Sequence, residues 1–140
     1  MSGIPEGYHA VTPYLVVEDA AAVLDFVKAA FGAEETVRMP DPDGRVAHAE
    51  FRIGDSVVMT GTNPDQLMPG MIYLYVEDTD ATYARAVAAG GVSVEAPNDT
   101  FYGDRRAAVT DPGGNHWFIA TSLGLSDEEV QRRIKEQSGG

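Results

Sequence analysis

Apolar and polar positions follow the same order in two successive parts of the chain. Residues 14–19 read Tyr-Leu-Val-Val-Glu-Asp, and residues 73–78, which lie 59 positions later, read Tyr-Leu-Tyr-Val-Glu-Asp. Five of these six positions are identical, and glycines recur at the same spacing further along without a gap. Matches at a constant spacing indicate an internal duplication. The two predicted repeats cover about residues 9–61 and 70–121.

Each repeat predicts one strand, then one helix, then three further strands. The first strand is rich in Val, Leu and Tyr, which favour extended structure. An acidic pair then precedes apolar residues that are three and four positions apart, a spacing typical of a helix with one buried face. The predicted first strands are at about 10–17 and 71–76, the first helix at about 19–31, and the later strands at about 35–39, 45–53, 56–61, 92–96, 104–111 and 115–121.

This order predicts an α+β fold in which two βαβββ repeats form a curled mixed sheet around a cleft. A repeat of about 60 residues is marginally stable alone, so we expect both repeats to share one domain over residues 1–122. Residues 123–140 form a separate tail, in which Ser126 and Glu129 make a capping box at the start of a short helix. This helix either lies on the surface or docks on a second subunit.

Composition restricts the partners and the compartment. The chain has 22 acidic and 10 basic residues, which give a formal net charge of −12. Nucleic acids and anionic membranes attract basic surfaces, so we expect neither as a partner. Cysteine is absent, which excludes disulfides and thiolate ligands. No secretory signal pattern or bilayer-length apolar run is found, so we expect a cytoplasmic protein.

Four local motifs accompany the duplication. They are Val11-Thr12-Pro13-Tyr14-Leu15, Ala30-Phe31-Gly32-Ala33-Glu34, Phe101-Tyr102-Gly103-Asp104-Arg105 and Asp111-Pro112-Gly113-Gly114. With the duplication, they resemble the vicinal-oxygen-chelate superfamily, which includes glyoxalase I, bleomycin-resistance proteins and extradiol dioxygenases, and within it the PhnB-like branch. The resemblance covers about residues 7–122. It implies a cleft enclosed by two repeats, and in metal-dependent members an ion held by His and Glu on the first and fourth strands of each repeat.

The resemblance places the four metal-ligand positions of the family at Thr12, Met59, Met71 and Phe118. A hydroxyl, two thioethers and a phenyl ring stand there. Hard and borderline divalent cations prefer carboxylate oxygen or imidazole nitrogen. We therefore expect neither a metal ion nor another cofactor in this cleft.

The alternation of side chains along strands predicts the rest of the cleft lining. If Thr12 faces the cleft, Leu15 and Val17 pack under the helix and Trp117 packs in the core. The further predicted ligand-binding residues on these strands are Tyr14, Tyr73, Tyr75 and His116. Such an apolar and aromatic lining suits a planar or apolar small molecule.

A second, polar set is predicted on the strand before the Gly54-Asp55 turn. A two-residue turn at this position pairs Glu50 with Met59, so that His48, Glu50 and Arg52 share the cleft face. Three interpretations remain open: a structural hydrogen-bond pair between Glu50 and Arg52, a ligand contact that includes acid–base chemistry, and a relocated metal site.

Two further positions follow from loops. Phe101 and Tyr102 precede the motif Gly103-Asp104-Arg105 at the predicted cleft mouth, where loops often carry recognition. The alternative interpretation is that this loop only forms a turn. Counting residues across the turn before the last strand in the same way places Asp111 opposite His116, as an orienting pair at the end of the sheet.

These observations favour a metal-free protein that binds a small molecule, with an aromatic or apolar drug or metabolite as the sequestered ligand. The resemblance also implies a homodimer whose clefts lie partly between the two copies, as in relatives. The alternative is an enzyme (a lyase, isomerase or dioxygenase) that uses His48 and Glu50 as relocated metal ligands, with or without His116, or as an acid–base pair. A third hypothesis is a degenerate cleft in a protein-interaction subunit.

Overall fold

The computed structural model describes residues 3–139, the last two by their backbone alone. The first repeat contains β1 (Tyr14–Val17), α1 (Ala20–Phe31), β2 (Glu34–Pro40), β3 (Val46–Ile53) and β4 (Ser56–Thr62). The second contains β5 (Met71–Tyr75), α2 (Thr79–Ala88), β6 (Val92–Asp99), β7 (Asp104–Thr110) and β8 (His116–Ser122), and α3 (Asp127–Gly139) follows. The predicted βαβββ order is therefore confirmed in both repeats.

Each repeat forms its own four-stranded mixed sheet, which confirms the α+β class. Sheet 1 has the strand order β1-β4-β3-β2, and sheet 2 has the equivalent order β5-β8-β7-β6. In both sheets the first strand runs parallel to the fourth, and the other neighbours are antiparallel.

The helices of the two repeats, α1 and α2, begin at capping residues. Asp19 and Asp78 have extended backbones, and each side chain accepts a hydrogen bond of 3.1 Å from an N–H in the first turn. Such caps satisfy amides that have no partner inside the helix. α1 ends at Gly32, whose φ of 67° lies in the left-handed region that favours glycine.

β1 begins at Tyr14, four residues later than predicted. Pro13 has no N–H to donate to a strand ladder, although its carbonyl accepts the Met59 N–H at 2.9 Å. Residues 3–12 form no helix or strand, and part of this segment lies over Glu50 and Met59. We call residues 3–12 the N-terminal arm.

The constant spacing between the repeats fails in β7. In sheet 1, Glu50 pairs with Met59 across a two-residue turn, as predicted. In sheet 2, Ala108 pairs with Phe118 across a five-residue loop, 111–115. Phe118 lies 59 residues after Met59, but Ala108 lies only 58 residues after Glu50. The pairing register of the strand before this loop is therefore shifted by one residue between the two repeats.

The core lies on the helix sides of the sheets and joins the two repeats. Leu15 and Val17 of β1 are buried in it, as the alternation of side chains predicts. α1 packs against α2, and the buried Trp117 ring of the second repeat lies 4.9 Å from the Phe31 ring of the first. The two repeats thus meet through their helices.

The predicted C-terminal helix is present as α3. The Glu129 N–H donates to Ser126 Oγ at 3.1 Å, which is one half of the predicted capping box. Among residues 3–139, none of the helices has both the length and the apolar content that crossing a bilayer requires.

Candidate functional site

Each sheet packs a helix on one side, and we call its other side the open face. Large apolar side chains are exposed on both open faces: Tyr14 is 46% exposed on sheet 1, and Met71 and Tyr75 are 72% and 60% exposed on sheet 2. Within the described part of the chain, no hydrogen bond or ring contact joins one open face to the other. Both faces therefore stay accessible in a single chain.

The predicted site residues fall into two groups, one on each repeat. Those of the first repeat are Thr12, Tyr14, His48, Glu50 and Met59. Those of the second repeat are Met71, Tyr73, Tyr75, Phe101, Tyr102, His116 and Phe118. The strands bring members of the same group together, but they do not bring the two groups together.

A chain of hydrogen bonds crosses the open face of sheet 1. His48 Nε2 lies 2.8 Å from Glu50 Oε2, and His48 Nδ1 lies 2.9 Å from the Tyr14 hydroxyl. The Tyr8 hydroxyl donates to Glu50 Oε1. Among the described residues Arg52 makes no hydrogen bond to Glu50, so the interpretation of Glu50 as the partner of Arg52 is wrong. Glu50 is 8% exposed and has a partner on each oxygen.

Tyr8 is a member of this site that the strand pattern misses, because it precedes β1 in a segment without periodicity. The residues of the turn that ends at Tyr8 are the sequence signal that could have identified it. The Tyr8 N–H donates to the Pro5 carbonyl at 3.1 Å, and Gly7 between them has a φ of 84°. Glycine at the third position of a four-residue turn is typical of this geometry.

An aromatic cluster covers the open face of sheet 2. The Phe118 ring stacks on Tyr73 at 5.6 Å and 25° and lies 4.8 Å from the His116 ring. Tyr75 extends the row, 5.4 Å from Tyr73. The Arg106 guanidinium lies 4.9 Å from the Phe118 ring centre, within range of a cation–π contact. The cluster presents connected ring surfaces on one face.

Polar groups hold the rings of this cluster in place. The Tyr73 and Tyr75 hydroxyls donate to the same Asp104 oxygen at 2.6 and 3.0 Å. Burial, and then the hydrogen bond to Asp104, raise the pKa of Tyr73 above its ordinary value. The Tyr102 hydroxyl accepts from Arg106 Nη1 at 2.7 Å.

Arg106 and Glu95 belong to this face, although the sequence pattern does not identify them. Arg106 donates to both Glu95 oxygens at 2.8 and 2.9 Å, and this contact lowers the pKa of Glu95. The pairing of β6 with β7 shifts on both sides of Glu95, which hides the alternation. Arg106 lies 58 residues after His48, so a correct length for the 111–115 loop would have identified it.

His116 lies beside the cluster, and its Nε2 is buried with no hydrogen-bond partner among the described residues. The predicted pairing of His116 with Asp111 is wrong. Thr110 pairs with His116, and the Asp111 carboxylate accepts from Asn115 Nδ2 at 2.8 Å and Trp117 Nε1 at 2.9 Å. The five-residue loop turns this carboxylate toward the core instead of the cleft.

The residues present do not fit the metal ion of the metal-dependent relatives. The positions implied by the resemblance are Thr12, Met59, Met71 and Phe118. Their hydroxyl, thioethers and phenyl ring are not the ligands of a hard or borderline cation. The relocated set is not assembled either, because His48 and Glu50 lie on sheet 1 and His116 lies on sheet 2. Within residues 3–137, no group of three or more His, Asp or Glu side chains could hold an ion.

The sequence places this chain in a known class of proteins. Residues 8–119 match the Glyoxalase/Bleomycin resistance protein/Dioxygenase superfamily, and the chain belongs to this superfamily. An uncharacterized protein of Mycobacterium bovis is 37% identical to it over 145 residues, which cover 94% of this chain and 95% of that protein.

Solved structures show the same fold. TioX from Micromonospora sp. ML1 superposes with a TM-score of 0.71 at 24% identity and covers 82% of this chain and 99% of its own. TnmS3, an antibiotic binding protein from Streptomyces sp. CB03234, superposes with a TM-score of 0.65 at 23% identity and covers 81% of this chain and 95% of its own. At these identities the similarity establishes the fold alone.

Proposed function

We propose that this protein binds an aromatic small molecule, without a metal ion, on the open face of sheet 2. The observation that carries the proposal is the cluster around Phe118, whose rings are held by polar partners and yet are accessible. Tyr73 and Tyr75 are 39% and 60% exposed. A planar ligand gains stacking and dispersion energy on such a surface. TnmS3, an antibiotic binding protein with the same fold, supports a small-molecule ligand.

The charges around the cluster favour a neutral or cationic ligand over an anionic one. Both oxygens of Glu95 neutralise the Arg106 guanidinium, so this cation is not free to attract an acid. The Tyr73 phenol at the centre of the cluster is uncharged at pH 7 and offers no cation to an acid. A net charge of −12 adds a long-range field that attracts cations.

We further propose that a second copy of the chain closes the site in a homodimer. Exposed apolar patches of this kind mark binding or interaction surfaces, and both open faces carry them. A twofold dimer can place the open face of sheet 1 of one copy over the open face of sheet 2 of the other. Each site then combines the Phe118 cluster of one chain with the His48–Glu50 pair of its partner.

The biological role that we propose is sequestration of an antibiotic or metabolite. Within the superfamily we place the chain in the PhnB-like branch, because of the motifs around Pro13, Phe31 and Gly103. Residues 1–122 serve as the binding domain in this proposal, and residues 123–140 form its tail.

Substitution of Phe118 tests the proposed site. Proflavine and anthraquinone-2-sulfonate serve as cationic and anionic planar probes, with tyrosine and tryptophan fluorescence and thermal shift as readouts. We expect proflavine to bind more tightly than the sulfonate. Phe118→Ala is expected to weaken proflavine binding about tenfold or more, or about 1.4 kcal/mol.

Val92→Ala is the matched control, because Val92 is an exposed apolar residue of the same sheet, 65% exposed, on the edge strand β6. It is expected to leave the affinity unchanged. Phe118→Leu keeps apolar volume without the ring and separates stacking from bulk. Equal affinity of the wild type and Phe118→Ala for both probes would contradict the proposal.

A second candidate function is acid–base catalysis by His48 and Glu50. The specific observation is their contact of 2.8 Å on a face that also carries two tyrosine hydroxyls. A histidine that is bonded to a carboxylate can move a proton to or from a bound ligand. A product that mass spectrometry detects with the wild type but not with His48→Ala would support catalysis over sequestration.

A further inference from the structure

We infer that the His48–Glu50 pair is a binding site for a phenolic hydroxyl group and that Tyr8 of the N-terminal arm occupies this site as an internal competitor. The inference rests on the proposed function and deepens it, because it names a chemical group that the ligand presents to sheet 1. The Tyr8 phenol already donates to Glu50 Oε1. Glu50 Oε2 is held by His48, so the carboxylate is oriented toward its phenol donor.

The turn at the start of the arm is built to present Tyr8 to the sheet. The hydrogen bond from Tyr8 to Pro5 closes the turn, and Gly7 supplies its left-handed residue. A Cβ atom on Gly7 would lie 3.1 Å from Arg52 Nη2. A side chain at this position would be strained by the positive φ, and the end of the Arg52 side chain would have to move by a few tenths of an ångström.

The rest of the arm buries little of its surface. Of residues 3–10, Tyr8 alone is half-buried, and the others are exposed. His9 Nε2 lies 3.0 Å from the Asp55 carbonyl oxygen and links the arm to the β3–β4 turn. A segment that buries one side chain can be displaced by a ligand that offers the same chemical group.

The space beside Tyr8 has the size and the chemistry for a phenol. A cavity of about 340 Å³ lies between the arm and sheet 1, within the range for small-molecule sites. Its lining includes Tyr8, Thr12, Glu50 and Met59. The carboxylate forms a strong, charge-assisted hydrogen bond with a phenolic O–H, and the Met59 thioether is a favourable neighbour for an aromatic ring.

p-Cresol, which is the side chain of tyrosine as a free molecule, is the probe for this inference. Tyr8→Ala removes the internal phenol and leaves its place beside Glu50. We expect p-cresol to raise the melting temperature of Tyr8→Ala in a concentration-dependent way, and to raise that of the wild type much less. Toluene has the same ring without the hydroxyl and is expected to have no such effect.

Tyr83→Ala is the matched control. It removes another half-buried tyrosine, whose hydroxyl donates to Ser93 Oγ and not to a carboxylate. p-Cresol is expected to leave its melting temperature unchanged. In the Tyr8→Ala background, Glu50→Gln is expected to weaken p-cresol binding about tenfold or more, because the acceptor loses its charge.

Deletion of residues 1–8 removes the same phenol without touching the core and is expected to reproduce the response of Tyr8→Ala. An equal response of the wild type and Tyr8→Ala to p-cresol would overturn the inference. So would an equal response to toluene, or no response in variants that unfold cooperatively. The proflavine titration of Phe118→Ala reports on sheet 2, so failure of the proposed function can be told apart from failure of this inference.

Discussion

Asp111 illustrates how one buried carboxylate orders a loop and the core below it. It accepts the backbone N–H groups of Gly113 and Asn115 at 2.8 and 3.0 Å, and it also accepts from the side chains of Asn115 and Trp117. The residue is 6% exposed. Four donors therefore satisfy a buried charge and fix the orientation of the largest side chain in the core.

Asp111→Ala is expected to lower the free energy of unfolding by about 2–4 kcal/mol, because buried donors lose their acceptor. Urea denaturation followed by tryptophan fluorescence measures this loss. Asp41→Ala is the control, since Asp41 accepts comparable loop N–H groups from Asp43 and Arg45 in the first repeat, nearer to solvent. Equal losses in the two variants would contradict this account.

Side-chain alternation was sufficient to predict that Tyr73, Tyr75 and Phe118 share one face, because β5 and β8 are regular along their whole length. It could not predict Arg106 or Tyr8. The position of Arg106 depends on the length of the loop that follows β7, and Tyr8 reaches Glu50 across 42 positions of sequence. Local periodicity carries no information about either contact.

At the scale of elements, α1 and β2 are joined by a small ion-pair network. Glu35 accepts from Arg38 at 2.8 and 2.9 Å, and Lys28 of α1 lies 2.8 Å from the same carboxylate. The hydrogen bond from Arg38, and then that from Lys28, lower the pKa of Glu35 from 4.5 to about 2. Glu35 therefore stays ionised in the folded chain at pH values where it is protonated in the unfolded chain.

This depressed pKa predicts a stability contribution that is present above about pH 4.5 and is lost as the pH falls toward 2. Because the pair is partly exposed and screened, we expect about 1 kcal/mol. The difference in unfolding free energy between the wild type and Glu35→Gln should shrink between these pH values. Urea titrations measure it, with the exposed neighbour variant Glu34→Gln as control. A difference that does not change with pH would contradict the assignment.

Elements whose limits depend on local chemistry were predicted well. The ends of α1 follow from the cap at Asp19 and from Gly32, which act within a few residues. The start of β1 and the register of β7 were not predicted, because they depend on which strand lies alongside. The β1 ladder begins after Pro13, and the five-residue loop 111–115 shifts the pairing register of β7.

At the scale of the whole molecule, the His48–Glu50 pair and the Phe118 cluster lie on different sheets of one chain. In the proposed homodimer each site has two walls, which are the open face of sheet 1 from one copy and the open face of sheet 2 from the other. Mixing Glu50→Gln with Phe118→Ala tests this arrangement. A mixed dimer then has one site with both walls intact and one with both altered, and statistical mixing restores about a quarter of all sites.

Proflavine titration after subunit exchange measures the recovery, and sedimentation establishes that mixed dimers have formed. Each variant alone, exchanged with itself, is the control and is expected to recover no intact site. Undiminished proflavine binding by Glu50→Gln alone, or mixed dimers that recover no binding, would contradict a site shared between two copies.

The two-residue turn in one hairpin and the five-residue loop in the other make the halves of this molecule non-interchangeable. A chain built from two copies of the first half would carry two imidazole–carboxylate walls and no platform for stacking. A chain built from two copies of the second half would carry two platforms and no counterpart of the His48–Glu50 pair. The difference of one residue in register places Arg106 where the first half has His48, so two halves of one architecture present different chemistry on their open faces.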